Sequence, residues 1–150
     1  MFMDLGSRDP LRALEEIANG MSSLYPRPAC DLGNELKSWY ERGSPGVSRG
    51  VVFPHARCTG IGENAVCIAR SREGVDLSSP GGQDVARIFA TVLSPAADHT
   101  KHLAVLARAA RILRNEPVIS ALLTVKGPSE MEAVFEEADE TAESEIPKSK

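Results

Sequence analysis

Apolar positions along the chain follow two periods, helical at both ends and extended between them. Leu11, Leu14, Ile17, Ala18 and Met21 recur at helical spacing behind Asp9-Pro10, an N-cap candidate followed by proline at the first helical position. A helix over 10–22 is expected. Tyr25-Pro26-Arg27-Pro28 cannot continue it, because each proline lacks an amide hydrogen and biases its predecessor to extended geometry. Asp31 can cap a second helix with Leu32, Leu36, Trp39 and Tyr40 on one face, ending before Gly43. On that face Trp39 is read as a core residue.

After the turn chemistry of GSPGVSRG at 43–50, apolar residues run together instead of recurring. VVFP at 51–54, AVCIAR at 65–70 and VARIFATVL at 85–93 are short, branched and aromatic, and are expected to be strands. GVDLSSPGGQ at 74–83 reads as a short strand and a Pro-Gly-Gly hairpin turn. Helical spacing then returns: His99, His102, Leu103, Leu106, Ala110 and Leu113 share one face of a helix expected over 98–114. Asn115-Glu116-Pro117 breaks it and starts a short helix to about Leu123. Ser129 and Glu132 have the spacing of a capping box, predicting a last helix with Met131, Val134, Phe135 and Ala138 on one side. Residues 139–150 lack periodicity and apolar content, and are expected to form a disordered acidic tail. No internal repeat is visible, so 1–138 is read as one domain in which helices cover a single sheet.

Composition agrees with that reading: 150 residues, 42% hydrophobic and 25% charged, suit one soluble domain with one real core. No apolar run approaches the roughly 20 residues that cross a bilayer, and MFMDLGSRDP has no basic region followed by an apolar stretch. A cytoplasmic protein without membrane insertion is expected. Three cysteines, Cys30, Cys58 and Cys67, are an odd number without close pairing, and are read as reduced thiols. The net charge of −4 is concentrated at the end, where the stretch from Glu130 onward holds eight acidic residues against two lysines. The remainder is nearly neutral, which argues against a nucleic-acid binder.

The chemistry narrows by elimination. GxxxxGK[ST], a strand followed by GxGxxG, and GxSxG are all missing, and the common nucleotide and hydrolase readings go with them. His55, Cys58, Cys67 and His99 lack the paired spacing of zinc ligands, so no metal is expected. Cys58 paired with His55 as a nucleophile lacks any recognisable oxyanion hole. His55 remains, directly after a proline at a strand's end, where α/β sheets place their ligands, with Arg49 and Arg57 on either side. Neighbouring cations disfavour a second positive charge on the ring, and a nucleophile needs the unprotonated nitrogen. Phosphoryl transfer also needs fixed donors for the equatorial oxygens, a task suited to the planar guanidinium fork. From the residues alone His55 is either a phosphoacceptor or a satisfied structural histidine.

The order GSPGVSRGVVFPHAR, then GVDLSSPGGQDVARIFATVLSP, then HLAVLARAARIL resembles enzyme IIA of the phosphoenolpyruvate-dependent sugar phosphotransferase system, in its fructose, mannitol and nitrogen-regulatory subfamily. The likeness runs from about Leu11 to Phe135. It implies an α/β fold, a mixed sheet of about five strands flanked by helices on both faces, and no cofactor. It also implies that His55 is phosphorylated by the histidine phosphocarrier HPr or a nitrogen-branch counterpart, and hands the group to a downstream sugar-transport domain or uses it as a regulatory signal. The nitrogen-regulatory type is expected. His102 would support the site and Arg57 would stabilise the phosphate or touch the partner, while Arg49 and Gly50 are candidate phosphate or partner contacts. His99 has no family counterpart and is read as facing solvent. Two departures, Pro45 for the family's threonine and Ser48 for one of its glycines, reshape the loop before His55. They motivate the alternative, a binding module that holds a partner through the His55 surface without phosphoryl transfer.

Overall fold

A computed structural model describes residues 1–24, 31–43, 46–59, 61–78, 84–97 and 99–145. Their elements are β1 (Phe2–Asp4), α1 (Pro10–Ser22), α2 (Leu32–Glu41), β2 (Val51–Val52), β3 (His55–Cys58), β4 (Ala65–Asp76), β5 (Val85–Pro95), α3 (His99–Ile112), α4 (Glu116–Thr124) and α5 (Pro128–Ser144). Both helix starts expected at aspartate are capped as anticipated. The Asp9 carboxylate accepts from Arg12 N at 3.0 Å and that of Asp31 from Asn34 N at 3.1 Å, each satisfying an otherwise orphaned donor.

The five strands form one mixed sheet in the order β1-β4-β5-β2, with β3 continuing along β5 beyond β2. β4 and β5 are antiparallel, and the other pairings are parallel. Val52 pairs with Phe89 and His55 with Val92, so β2 and β3 keep one register and amount to a single edge strand interrupted at Phe53-Pro54. Pro54 has no N–H to donate, yet its carbonyl still accepts from Val92 N at 2.9 Å. Such a residue is tolerated on an edge strand.

Helices cover both faces. Leu14, Ile17, Met21 and Leu36 from α1 and α2 pack with Val52, Phe89 and Leu93 on one side. Ile119, Leu122 and Met131 from α4 and α5 pack with Val51, Ile68 and Ile88 on the other. Among the described residues one Arg, Lys, Asp or Glu side chain lies wholly inside: Arg70 on β4 is 1% exposed. Its guanidinium forms a two-pronged pair with Asp4 at 2.7 and 3.0 Å and donates to the Leu122 and Val125 carbonyls at 2.8 and 2.6 Å. A buried charge needs such complete pairing. The arrangement ties β1 to the end of α4.

Four sequence expectations are corrected. β1 was not anticipated, since three residues carry no periodicity. β4 runs on through the stretch read as a separate short strand, because the chain bulges between Arg70 and Val75 rather than ending. Gly74 makes this possible at φ 87°, where an added Cβ would sit 2.6 Å from Val85 Cγ1. α5 begins at Pro128, so Ser129 lies inside the helix and forms no capping box; Glu130 instead accepts from Lys126 N at 2.9 Å. Finally, 139–144 is helical rather than disordered. Arg108 of α3 donates to Asp139 at 2.6 and 2.9 Å and to Glu143 at 2.7 Å, supplying tertiary partners that local composition does not reveal. The Pro-Gly-Gly turn, Tyr25 to Pro28, Cys30, Pro45 and the last five residues lie outside the described residues.

Candidate functional site

The interruption at Phe53-Pro54 positions the histidine. His55 Nδ1 lies 3.0 Å from the Phe53 carbonyl oxygen. A carbonyl only accepts, so in the neutral ring Nδ1 carries the hydrogen and Nε2 carries the lone pair. The local backbone thereby selects the tautomer in which Nε2 is the nucleophilic atom. The Trp39 ring stands edge-on to His55 at 6.2 Å, and the His102 ring is 5.5 Å away at 60°.

His102, one turn into α3, is only 3% exposed. Its Nδ1 is 2.7 Å from Ser94 Oγ on β5. Burial lowers its pKa below the ordinary histidine value, and the charges that His55, Arg57 and His99 can carry push it the same way. Arg57, exposed on β3, donates to the Ala96 carbonyl and lies 3.4 Å from His99 Nδ1. These groups open on a cavity of about 820 Å³ whose wall includes Trp39, Arg42, His55, Arg57, His99 and His102.

The fold thus brings together His55, His102 and Arg57 from the sequence analysis, but not Arg49 and Gly50. Ser48 and Val51 bond to each other at 3.0 and 2.9 Å across Arg49 and Gly50, whose φ values are 55° and 76°, the pattern of a type I′ turn. That turn sends the Arg49 side chain away, to the Arg114 carbonyl at 2.8 Å and Glu116 at 3.5 Å. The Gly50 carbonyl accepts from Arg87 N and Ile88 N of β5 at 2.7 and 3.0 Å. Neither residue lines the cavity.

Two neighbours, Arg42 and Ser94, escaped the sequence reading, and two that it named, Trp39 and His99, also border the cavity. Arg42, the C-cap of α2, reaches the cavity from a position one turn beyond Trp39, so helical spacing from Trp39 was the available signal. Trp39 itself packs on the core and lines the cavity. His99 is exposed, as expected, and also touches Arg57 and borders the cavity. Ser94 gave no signal, because its partner comes from another element.

Cys58 corrects the expectation of reduced thiols: it is buried and disulfide-bonded, since spacing along the sequence does not disclose what folding brings close. A bonded sulfur is no nucleophile. Cys67 is a free, buried thiol whose pKa burial pushes up to about 11, which leaves it largely unionised and unreactive near neutrality. Among the described residues no three His, Cys, Asp or Glu side chains are grouped to hold a metal ion, and no helix is long and apolar enough to cross a membrane.

An imidazole whose Nδ1 is bonded to a carbonyl, a second, buried histidine and two guanidinium groups form a site suited to an anionic group. Comparison with known proteins identifies the family. Residues 2–138 match the family described as "Phosphoenolpyruvate-dependent sugar phosphotransferase system, EIIA 2". The chain belongs to this EIIA 2 family.

Two curated relatives illustrate its range. The EIIA 2 chain is 32% identical over 95 residues to the "PTS system fructose-specific EIIA component" of Haloferax volcanii, covering 63% of this chain and 61% of that protein. It is 29% identical over 111 residues to the "Nitrogen regulatory protein" of Bradyrhizobium diazoefficiens, covering 74% and 72%. Across the curated relatives it matches, the chain spans between 12% and 72% of their length. Its fold recurs in nitrogen regulatory protein IIA-Ntr of Neisseria meningitidis, at TM-score 0.77 and 24% identity over 89% of this chain and 91% of that one. It recurs also in enzyme IIA mannitol of Escherichia coli, solved in complex with phosphorylated enzyme IIB mannitol, at TM-score 0.70 and 13% identity over 91% and 99%. At these identities the solved structures bear on the fold alone. They match the expected mixed five-stranded sheet with helices on both faces.

Proposed function

We propose that this EIIA 2 chain is a phosphocarrier in which His55 Nε2 accepts a phosphoryl group from an HPr-type histidine phosphoprotein and passes it on or holds it as a signal. The observation that carries the reading is the bond between His55 Nδ1 and the Phe53 carbonyl, which leaves Nε2 as the free lone pair in a cavity lined by Arg42 and Arg57. As the N–P bond forms at Nε2, the donor's P–N bond breaks and its electron pair returns to the donor imidazole. Each ring keeps its other N–H throughout. Charge on the three equatorial oxygens is received by the arginines, with no metal or cofactor required of the protein.

The nitrogen-regulatory branch is favoured over sugar transport because that match extends over 111 residues and 72% of the relative. The Escherichia coli complex of enzyme IIA mannitol with phosphorylated enzyme IIB mannitol makes a downstream transport domain the other acceptor to consider. A second reading, a binding module without transfer, draws on the loop before His55. There the Ser48 N–H is spent on the Val51 carbonyl, and Arg49 is turned toward α3 and α4, so neither is offered to a phosphate.

Incubation with phosphoenolpyruvate, enzyme I and HPr, followed by intact mass, separates the two. The expected result is one acid-labile, base-stable phosphoryl group, lost in His55→Ala. Absence of label where a control enzyme IIA is labelled refutes the carrier reading, and label that survives in His55→Ala refutes the residue.

A further inference from the structure

We propose that Ser94 is a positioning residue: its hydroxyl donates to His102 Nδ1 and holds that ring as the Nε2–H tautomer, presenting a donor to the phosphoryl group on His55. The purpose assigned to this bond rests on the phosphocarrier reading; the bond itself does not.

Ser94 sits at the end of β5 with no exposed surface, and among the described residues its hydroxyl has one hydrogen-bond partner, His102 Nδ1 at 2.7 Å. A buried hydroxyl hydrogen left without an acceptor is costly. If His102 donated from Nδ1 instead, the Ser94 hydrogen would have no acceptor and Nε2 would turn a lone pair toward negatively charged oxygens. Donation by Ser94 satisfies both groups. Burial, and the charges that His55 and Arg57 from β3 and His99 from α3 can carry, favour the neutral ring. Of the other charged groups in the cavity wall, Arg42 at the end of α2 acts in the same sense and Glu35 of α2 in the opposite one. In the neutral ring, the tautomer decides whether His102 attracts or repels a phosphoryl oxygen.

The two histidines are therefore set oppositely by different partners. A carbonyl, which only accepts, fixes His55 as Nδ1–H with a nucleophilic Nε2. A hydroxyl with no other partner among the described residues fixes His102 as Nε2–H with a donating Nε2. Two rings 5.5 Å apart thus serve as attacking atom and oxygen ligand without competing for the phosphorus.

The test begins with the unmodified protein, ¹⁵N-labelled at histidine. Long-range ¹H–¹⁵N correlation at neutral pH is expected to show His102 protonated at Nε2 and bare at Nδ1; the opposite pattern overturns the proposal. Ser94→Thr and Ser94→Val then supply nearly equal volumes that differ by the hydroxyl, so crowding is common to both. Thr is expected to keep the Nε2–H signature and the unmodified rate of labelling by phospho-HPr, whereas Val loses the signature and labels about fivefold more slowly, as expected for one net hydrogen bond. Equal labelling rates in Thr and Val overturn the positioning role. If the unmodified protein takes no label while His102 is Nε2–H, the phosphocarrier reading fails and the Ser94 bond stands; label together with Nδ1–H does the reverse.

Discussion

Replacing Asp4 with alanine tests the logic of the buried arginine. The Arg70 side chain is 1% exposed and that of Asp4 34%, so the variant strips a carboxylate from a guanidinium that cannot reach bulk water. Breaking a fully buried pair costs roughly 3–5 kcal/mol. Here Asp4 is partly solvated and Arg70 keeps its carbonyl acceptors on Leu122 and Val125, so about 2 kcal/mol is the reasonable expectation after screening. Urea unfolding should show a lower midpoint with an unchanged slope. The pH dependence supplies the stricter check. Hydrogen bonding to Arg70 holds the Asp4 carboxyl below its ordinary pKa, so its contribution is complete above the unfolded value near ~3.9 and fades as pH falls through the folded one. The gap between unmodified protein and Asp4→Ala should therefore be constant near neutrality and shrink in acid. A gap below about 0.5 kcal/mol at neutral pH, or one that does not close in acid, refutes the reasoning.

Two further outcomes are expected. Arg57→Ala and Arg42→Ala should each slow phosphorylation of His55 about tenfold to a hundredfold, the loss of one charge-assisted bond to the moving group; rapid-quench labelling measures this, and unchanged rates remove the arginine from the site. Cys67, with its pKa near 11, should resist iodoacetamide at neutral pH in the folded state and react once the chain is unfolded in urea, as quantified by intact mass.

Much of this architecture can be read where the cause is local. Asp9 and Asp31 announce helix starts because a cap and its donors lie three residues apart. Pro54 announces a break because it has no N–H, but the edge strand resumes at His55 in the same register rather than ending there as expected, since pairing with β5 continues on both sides of the break. What stays hidden depends on distant partners. β1 is held by its ladder to β4 and by the pair of Asp4 with Arg70, 66 residues away, and the helix over 139–144 is held to α3 by Arg108, 31 and 35 residues before its acceptors. Ser129 shows the converse: capping-box spacing was present, but Pro128 opens the helix first. At the candidate site, His55 could be singled out from sequence, but the placement of Ser94, Arg42 and His99 near it depends on β5, α2 and α3 converging.

The break at Phe53-Pro54 also bears on self-association. An edge strand offers its free N–H and C=O groups to any strand that comes alongside, and proteins blunt that invitation with proline or a covering side chain. Here the Phe53 carbonyl is already taken by the His55 ring, so it is no free acceptor for an incoming chain. The histidine is in this sense a plug as well as a candidate nucleophile. Removing it as alanine uncovers the carbonyl, so His55→Ala preparations call for light scattering alongside the labelling assay, and a His55→Asn variant, whose short amide can still donate, is the control that separates lost chemistry from a sticky edge.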